Sequence, residues 1–355
     1  MIKSKHIFNL LTQTKKKRRS PPSKTNIKSI LIITYDALGD LIVTTPAIRA
    51  VREIFPDARI DLLVHERNKI IVENSSHCNQ IYSHTKKDYS KSWSLLLTLR
   101  SKKYDLLLDF FGRINLRMYF FINILRANYA IAIRKEEYHE NKYDIKTADL
   151  PIYDHVIGNN QTKHTRDRLL EITDYFNHKP SSLRYEFNLP LWAKQKAQTF
   201  LPKGNDIIAF NFFGSRENNT LTPSQSIDLI RDFLTKFPQS KILLIAPPNR
   251  ERCLSDILSN FNTDSILAPP VTTNIYEVGA LLDSCNLVLS PSTSIVHIGS
   301  ALNKKMIVIQ PDNYFYNTFN PTSDNFRISY SISENDISEI NTSQIIQFAE
   351  ELLKV

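Results

Sequence analysis

The sequence predicts an α/β protein built from two successive parallel, doubly wound sheets. Three observations carry that prediction. Short apolar runs rich in β-branched residues or leucine, such as Ile30–Thr34 and Tyr104–Phe110, read as strands buried on both faces. Segments of helical periodicity alternate with them, the arrangement that builds a parallel sheet. The alternation lapses over residues 178–190 and then restarts, in a 355-residue chain long enough for two cores.

Composition narrows the function classes. A hydrophobic fraction of 42% and a charged fraction of 23% are those of a soluble globular protein. The three cysteines, Cys78, Cys253 and Cys285, lie far apart in no metal or redox spacing, as expected of reduced thiols in a cytosolic protein. No apolar run approaches the roughly 18 to 20 residues of a membrane span. The net charge of +9 comes from one end: residues 1–29 hold nine Lys and Arg and no Asp or Glu, and the remaining 326 residues balance at 36 basic and 36 acidic. The body is therefore not basic, which argues against nucleic-acid binding.

The tail, residues 1–29, sets Ile2, Ile7, Phe8, Leu10 and Leu11 among short basic spacers. The basic block Lys15–Arg19 and the breaker Pro21-Pro22 follow. It lacks the apolar core and cleavage site of a signal peptide. Two readings stand: a weak anchor to an anionic membrane surface, and a disordered solvated arm.

The first domain, residues 30–185, opens with the strand Ile30–Thr34 and the turn Tyr35–Asp40. Gly39 is expected to let the chain turn sharply at the strand end. Thr45-Pro46 reads as N-cap and first residue of a helix to Phe55. Asp40 falls at the carboxyl end of the first strand, where open α/β sheets bind ligands. It reads equally as a cap of the short turn Leu41–Thr44. Ile60–Val64 is a second strand, and Ile81-Tyr82 is a weaker one. Ser92–Arg100 and Met118–Leu125 read as helices, and Tyr104–Phe110 and Tyr129–Ile133 as strands. Asp109-Phe110-Phe111-Gly112 repeats the pattern of strand, acidic residue and glycine, and Arg113 and Arg117 follow at helical spacing. Residues 134–165 read as a long irregular segment, Arg166–Asn177 as a helix and 178–190 as the linker.

The second domain, residues 186–340, begins with the helix Trp192–Leu201 and the strand Ile207–Asn211. A strand-end loop, Phe212-Phe213-Gly214-Ser215-Arg216, precedes a helix that starts at Thr222-Pro223. The strand Lys241–Ala246, helices near Arg250–Asn260 and Ile275–Leu282, and the strand Leu287–Leu289 follow. Ser290-Pro291-Ser292-Thr293-Ser294-Ile295-Val296-His297 then leaves a strand and opens a helix, whose free N–H groups suit a phosphate. The other reading of that string is a Ser-rich cap with His297 in the core. Pro311–Arg327 is loop-like and aromatic, with Tyr314, Phe315, Tyr316 and Phe319. Residues 341–355 hold an amphipathic helix with Ile345, Ile346, Ala349, Leu352 and Leu353 on one stripe. No GxGxxG and no Walker loop is present, which argues against a dehydrogenase or an NTPase.

Gly39-Asp40, Thr45-Pro46-Ala47, Phe55-Pro56 and the string Ser290–His297, followed by Ala301 and Lys304, occur in the order found in glycosyltransferase family 9. The chain resembles that family, the ADP-heptose:lipopolysaccharide heptosyltransferases, over residues 30–330. The resemblance implies a GT-B architecture, two Rossmann-like domains facing a cleft, with the C-terminal helix packing back toward the first domain. It implies an inverting, metal-independent glycosyltransferase with no cofactor, using ADP-heptose as donor and a lipopolysaccharide core sugar or other anionic glycan as acceptor. Asp40 stands where the family has its general base. Gly39, Asp109, Gly112, Arg113 and Arg117 would receive the acceptor. Gly214, Ser215, Arg216, Ser290, Ser292, Thr293, Ser294 and His297 would hold the donor. Such an enzyme would be cytoplasmic, with residues 1–29 suited to the inner face of a bacterial inner membrane.

The chain departs from the family at two places. Ser292 replaces an Asp expected to hold the donor sugar, and Asn218-Asn219 occupies the place of a phosphate-contacting Lys or Arg. These departures leave three alternatives: a different nucleotide-sugar donor, another GT-B nucleotide-sugar enzyme such as an epimerase, and a non-catalytic binding partner.

Overall fold

A computed structural model of the chain describes residues 19–34, 37–84, 89–113, 116–135, 147, 150–202, 204, 206–261 and 264–354. The chain divides between Leu183 and Arg184 into two units. The first contains β1 (Ser29–Thr34), α1 (Leu38–Ile54), β2 (Arg59–His65), α2 (Lys69–Val72), β3 (Gln80–His84) and α3 (Tyr89–Ser101). It continues with β4 (Leu106–Asp109), α4 (Leu116–Leu125), β5 (Tyr129–Ile133), β6 (His155–Ile157) and α5 (Thr165–Tyr175). The second contains α6 (Leu191–Phe200), β7 (Ile207–Asn211), α7 (Pro223–Lys236), β8 (Lys241–Ile245), α8 (Glu251–Leu258) and β9 (Ile266–Leu267). Then come α9 (Ile275–Asp283), β10 (Leu287–Pro291), α10 (Ser294–Ala301), β11 (Met306–Pro311), α11 (Tyr314–Asn317), β12 (Phe326–Ser331) and α12 (Thr342–Leu353).

Each unit has one six-stranded sheet, in the order β3-β2-β1-β4-β5-β6 in the first and β12-β11-β10-β7-β8-β9 in the second. Every pairing is parallel. These are the two Rossmann-like units of the GT-B class. Strand order reverses between β1 and β4 and between β10 and β7. The loops that leave the paired strand ends diverge there, so a crevice opens at the carboxyl edge of each sheet. The central strands are apolar because they are covered on both faces: Ile30, Leu31, Ile32 and Ile33 are all fully buried.

Several expectations need correction. The first helix does not start at Thr45-Pro46 but at Leu38, and Pro46 lies inside it. Pro46 has no N–H to give to the carbonyl of Ile42, four residues earlier. The Thr45 hydroxyl donates to that carbonyl instead, at 2.7 Å. A Thr-Pro pair that usually marks a helix start thus repairs a helix interior. Gly39 sits in the first turn of α1 and not in an open turn.

Of the expected tail, residues 19–29 are described: Ile27 is buried and β1 begins at Ser29. Residues 1–18 and Tyr35-Asp36 lie outside the described residues. The irregular segment contains a sixth strand, β6, and the aromatic stretch ends in another, β12. Both are edge strands, whose apolar runs are short. The C-terminal helix belongs to the second unit. Ile345, Ala349 and Leu352 enter that unit's core with Leu229, Phe233 and Ile309.

Candidate functional site

In the second unit the candidate donor residues gather at the β7/β10 switch point. Asn211 ends β7 and is only 4% exposed. Its Nδ2 donates to Ser290 Oγ at 2.9 Å and to the Phe213 carbonyl at 3.1 Å, and its Oδ1 accepts from the Phe213 N–H at 3.1 Å. One buried amide thus fixes both the end of β10 and the turn after β7. Thr293 is the N-cap of α10, its Oγ1 accepting from the Ile295 N–H at 3.3 Å. Ser290 Oγ lies 3.4 Å from Thr293 Oγ1. Ser292, Thr293 and Ser294 are half-buried at the head of this helix. Free N–H groups and the helix dipole there favour an anion.

The loop Gly214–Asn219 folds over the same edge. The Gly214 N–H donates to Thr220 Oγ1 at 3.0 Å, and Thr220 Oγ1 donates to the Arg216 carbonyl at 3.0 Å. A side chain at position 214 has no room: its Cβ would lie 1.9 Å from the Asn219 carbonyl oxygen. Asn219 is 2% exposed, and its Nδ2 donates to the Ser292 carbonyl at 2.9 Å. Ser215 and Arg216 are exposed on this loop. Asn219, at the place expected of a phosphate-contacting cation, is therefore a tie between loops, and Arg216 is the cation that the loop presents.

His297 is buried on the first turns of α10, its ring edge-on to Tyr185 at 6.2 Å and to Phe319 at 6.1 Å. The aromatic stretch after β11 thereby reaches the head of α10, as Phe315 packs on Phe319 at 5.7 Å. Lys304, by contrast, precedes β11 at the opposite edge, where its ammonium donates to the Asp283 carbonyl at 2.7 Å. Burial there lowers its pKa.

In the first unit the candidate residues lie at the β1/β4 switch point. Asp40 is half-buried in the first turn of α1, and its Oδ2 accepts from the Ala37 N–H at 3.1 Å. It caps the helix start, and it stands at the carboxyl edge of β1. Gly39 beneath it is buried. Gly112 is half-buried, and Arg113 and Arg117 are exposed after β4.

Asp109 departs from its expected place among the acceptor contacts. It is 1% exposed and bonded inward: Lys135 Nζ lies 2.8 Å from Oδ2, Tyr153 donates its hydroxyl, and the Phe111 N–H donates to Oδ1 at 3.0 Å. Lys135 also donates to the Phe111 carbonyl. Burial and the Asp109 charge hold the Tyr153 hydroxyl well above its usual pKa, so it stays a donor. This buried trio braces the loop that carries Gly112 and Arg113. Asn211, Lys135 and Tyr153 are functional supports that the sequence reading missed. Asn211 was legible as a polar residue ending an apolar strand; Lys135 and Tyr153 sit in a stretch without periodicity.

Comparison with known proteins follows the same lines. A family model described as Glycosyltransferase family 9 (heptosyltransferase) matches residues 92–342, a span that takes in the β10–α10 string and leaves out Asp40. The lipopolysaccharide heptosyltransferase 1 of Campylobacter coli is 24% identical over 298 residues, 79% of this chain and 83% of its own. A family 9 glycosyl transferase from Veillonella parvula superposes with a TM-score of 0.78 at 17% identity, over 94% of this chain and 99% of its own. An Escherichia coli heptosyltransferase solved with ADP gives 0.71 at 16% identity, over 91% and 99%. With a family match that spans most of the chain, on two sheets of the expected order, this protein belongs to glycosyltransferase family 9, the heptosyltransferase family.

Proposed function

We propose that the protein is an inverting, metal-independent heptosyltransferase that moves heptose from ADP-heptose to a lipopolysaccharide core sugar or related anionic glycan. The observation that carries the reading is the cradle at the head of α10, where Thr293 and the helix N-terminus are locked to the β7 loop by Asn211 and Asn219. That a relative of the same fold was solved with ADP supports a nucleoside diphosphate there. Asp40 takes the proton from the acceptor hydroxyl. The hydroxyl oxygen bonds to the anomeric carbon from the face opposite the diphosphate. The bond from that carbon to the diphosphate oxygen breaks, and ADP leaves with the electron pair. Helix N–H groups, Thr293, Ser215 and Arg216 stabilise the charge that grows on it. Arg113 and Arg117 favour an acceptor bearing phosphate or carboxylate. No cofactor takes part in these steps.

The enzyme works in the cytoplasm, with the basic tail meeting an anionic inner-membrane face. Among the described residues no helix is long and apolar enough to cross a membrane.

Calorimetric titration with ADP, UDP, GDP and CMP tests the donor half. Selective ADP binding supports the reading. Preference for another nucleotide removes ADP-heptose while keeping a transferase, and no binding at all favours a non-catalytic partner.

A further inference from the structure

We infer that the α3–α4 face of the first unit is a docking surface for an anionic lipid bilayer. This deepens the membrane contact proposed above by giving it a place in the fold, and its test uses neither donor nor acceptor.

Both helices bury one side in a common core, Leu96 and Leu99 from α3 and Tyr119, Ile122 and Leu125 from α4. Their other sides are unusually apolar. Trp93 is 57% exposed, Leu97 51% and Phe120 37%. Trp93, Leu97 and Arg100 recur at i, i+4 and i+7, one stripe of α3. Arg100 crosses to α4, where it donates to the Ile124 carbonyl at 3.1 Å, so the stripe lies beside α4. On α4, Arg117 and Phe120 recur at i and i+3, with Arg126 just beyond the helix end.

Charge selects the occupant. The stretches 89–104 and 110–135 contain no aspartate and no glutamate, so the helices Tyr89–Ser101 and Leu116–Leu125 carry no acidic residue at all. A large aromatic and aliphatic surface edged by arginines and lysines fits the headgroup zone of an anionic membrane. It fits a second copy of this chain poorly, because a two-fold contact would set the same basic side chains against each other.

The chain outside the described residues ends at this face. Arg19, the last residue of the basic block, donates from Nη2 and Nε to Asp154 at 2.7 and 3.1 Å and from Nη1 to the Ala127 carbonyl at 2.8 Å. Ala127 follows the C-terminal end of α4. Asp154 is 5% exposed, so the pair is a firm mooring. Residues 1–18, with six Lys and Arg, no acid and five large apolar residues, therefore join the body at the helix that carries Phe120. The composition of residues 1–18, basic and apolar without an acid, matches that of the helix face.

The chain has two tryptophans, so Trp192→Phe leaves Trp93 as the sole reporter. The full-length protein is mixed with phosphatidylcholine vesicles with and without about one-third phosphatidylglycerol. The expected result is a blue shift of Trp93 emission with the anionic vesicles alone, reversed by high salt. Flotation of Trp93→Ser/Leu97→Ser/Phe120→Ser is expected to fall by about tenfold with the tail intact. An absent Trp93 shift overturns the proposal. So does undiminished flotation of the triple variant, which would leave the tail as sole anchor. A dimer seen by light scattering and dissolved by the triple variant would assign the face to a second copy instead.

Discussion

The side-chain amide of Asn219 donates to the backbone carbonyl of Ser292 at 2.9 Å, joining the loop after β7 to the loop after β10. These are the two places where the sequence was expected to depart from the family it resembles. A neutral side-chain amide ties the two loops together there. Asn219→Ala removes a buried hydrogen bond and is expected to cost about 1–2 kcal/mol of stability. It should also weaken ADP binding by roughly five- to tenfold, because the helix head loses its partner loop. Thermal melts and ADP titration read the two effects separately.

The Asp109–Lys135 pair gives a second expectation. Both groups are almost fully buried, at 1% and 3% exposure, and they lie 2.8 Å apart. Lys135→Met strands the carboxylate with one tyrosine and one backbone donor. It is expected to cost about 3–5 kcal/mol. Asp109→Asn/Lys135→Met, which removes both charges, should be milder than Lys135→Met alone. Denaturant unfolding of the two variants checks the order.

Glu53, near the end of α1, predicts a pH dependence. Its carboxylate accepts from the Ser181 N–H at 3.1 Å and from the Ser181 hydroxyl, with His178 Nε2 at 3.1 Å and Arg49 Nε at 3.9 Å. Burial pushes its pKa up, but the hydrogen bonds from Ser181 and His178 outweigh burial and leave it below the reference value of 4.5. A folded pKa lowered in this way adds stability that is complete above the unfolded value and is lost as pH falls through the folded value. Glu53→Gln should therefore be less stable than the parent by about 1 kcal/mol near neutrality. The gap should close as pH drops below 4.5. Melting curves across that range test it; a gap that widens in acid would reverse the sign.

The two-sheet plan was legible because central strands of a parallel sheet carry long apolar runs, and Ile30–Thr34 and Ile207–Asn211 need no context to be read. Edge strands were harder. Ile266–Leu267 and His155–Ile157 are two or three residues long and half covered, so no pattern sets them apart from loops. The head of α10 was legible as a Ser- and Thr-rich string between an apolar strand and a helix, while the roles expected of Thr293 and His297 came from the family resemblance. Asp109 misled for a physical reason: an acid at a strand end looks the same in sequence whether it faces a ligand or a lysine from a distant loop. Pro46 misled because a neighbouring hydroxyl supplied the hydrogen bond that proline lacks.

The central claim is that Asp40 acts on the acceptor while the α10 cradle holds the donor. The most direct measurement is the initial rate of heptosyl transfer from ADP-heptose by Asp40→Asn beside the parent enzyme, with ADP affinity measured on the same two samples. Loss of transfer by about two to four orders of magnitude with ADP affinity unchanged is the expected result. Transfer that survives Asp40→Asn would contradict the claim, and so would ADP affinity that falls along with the rate.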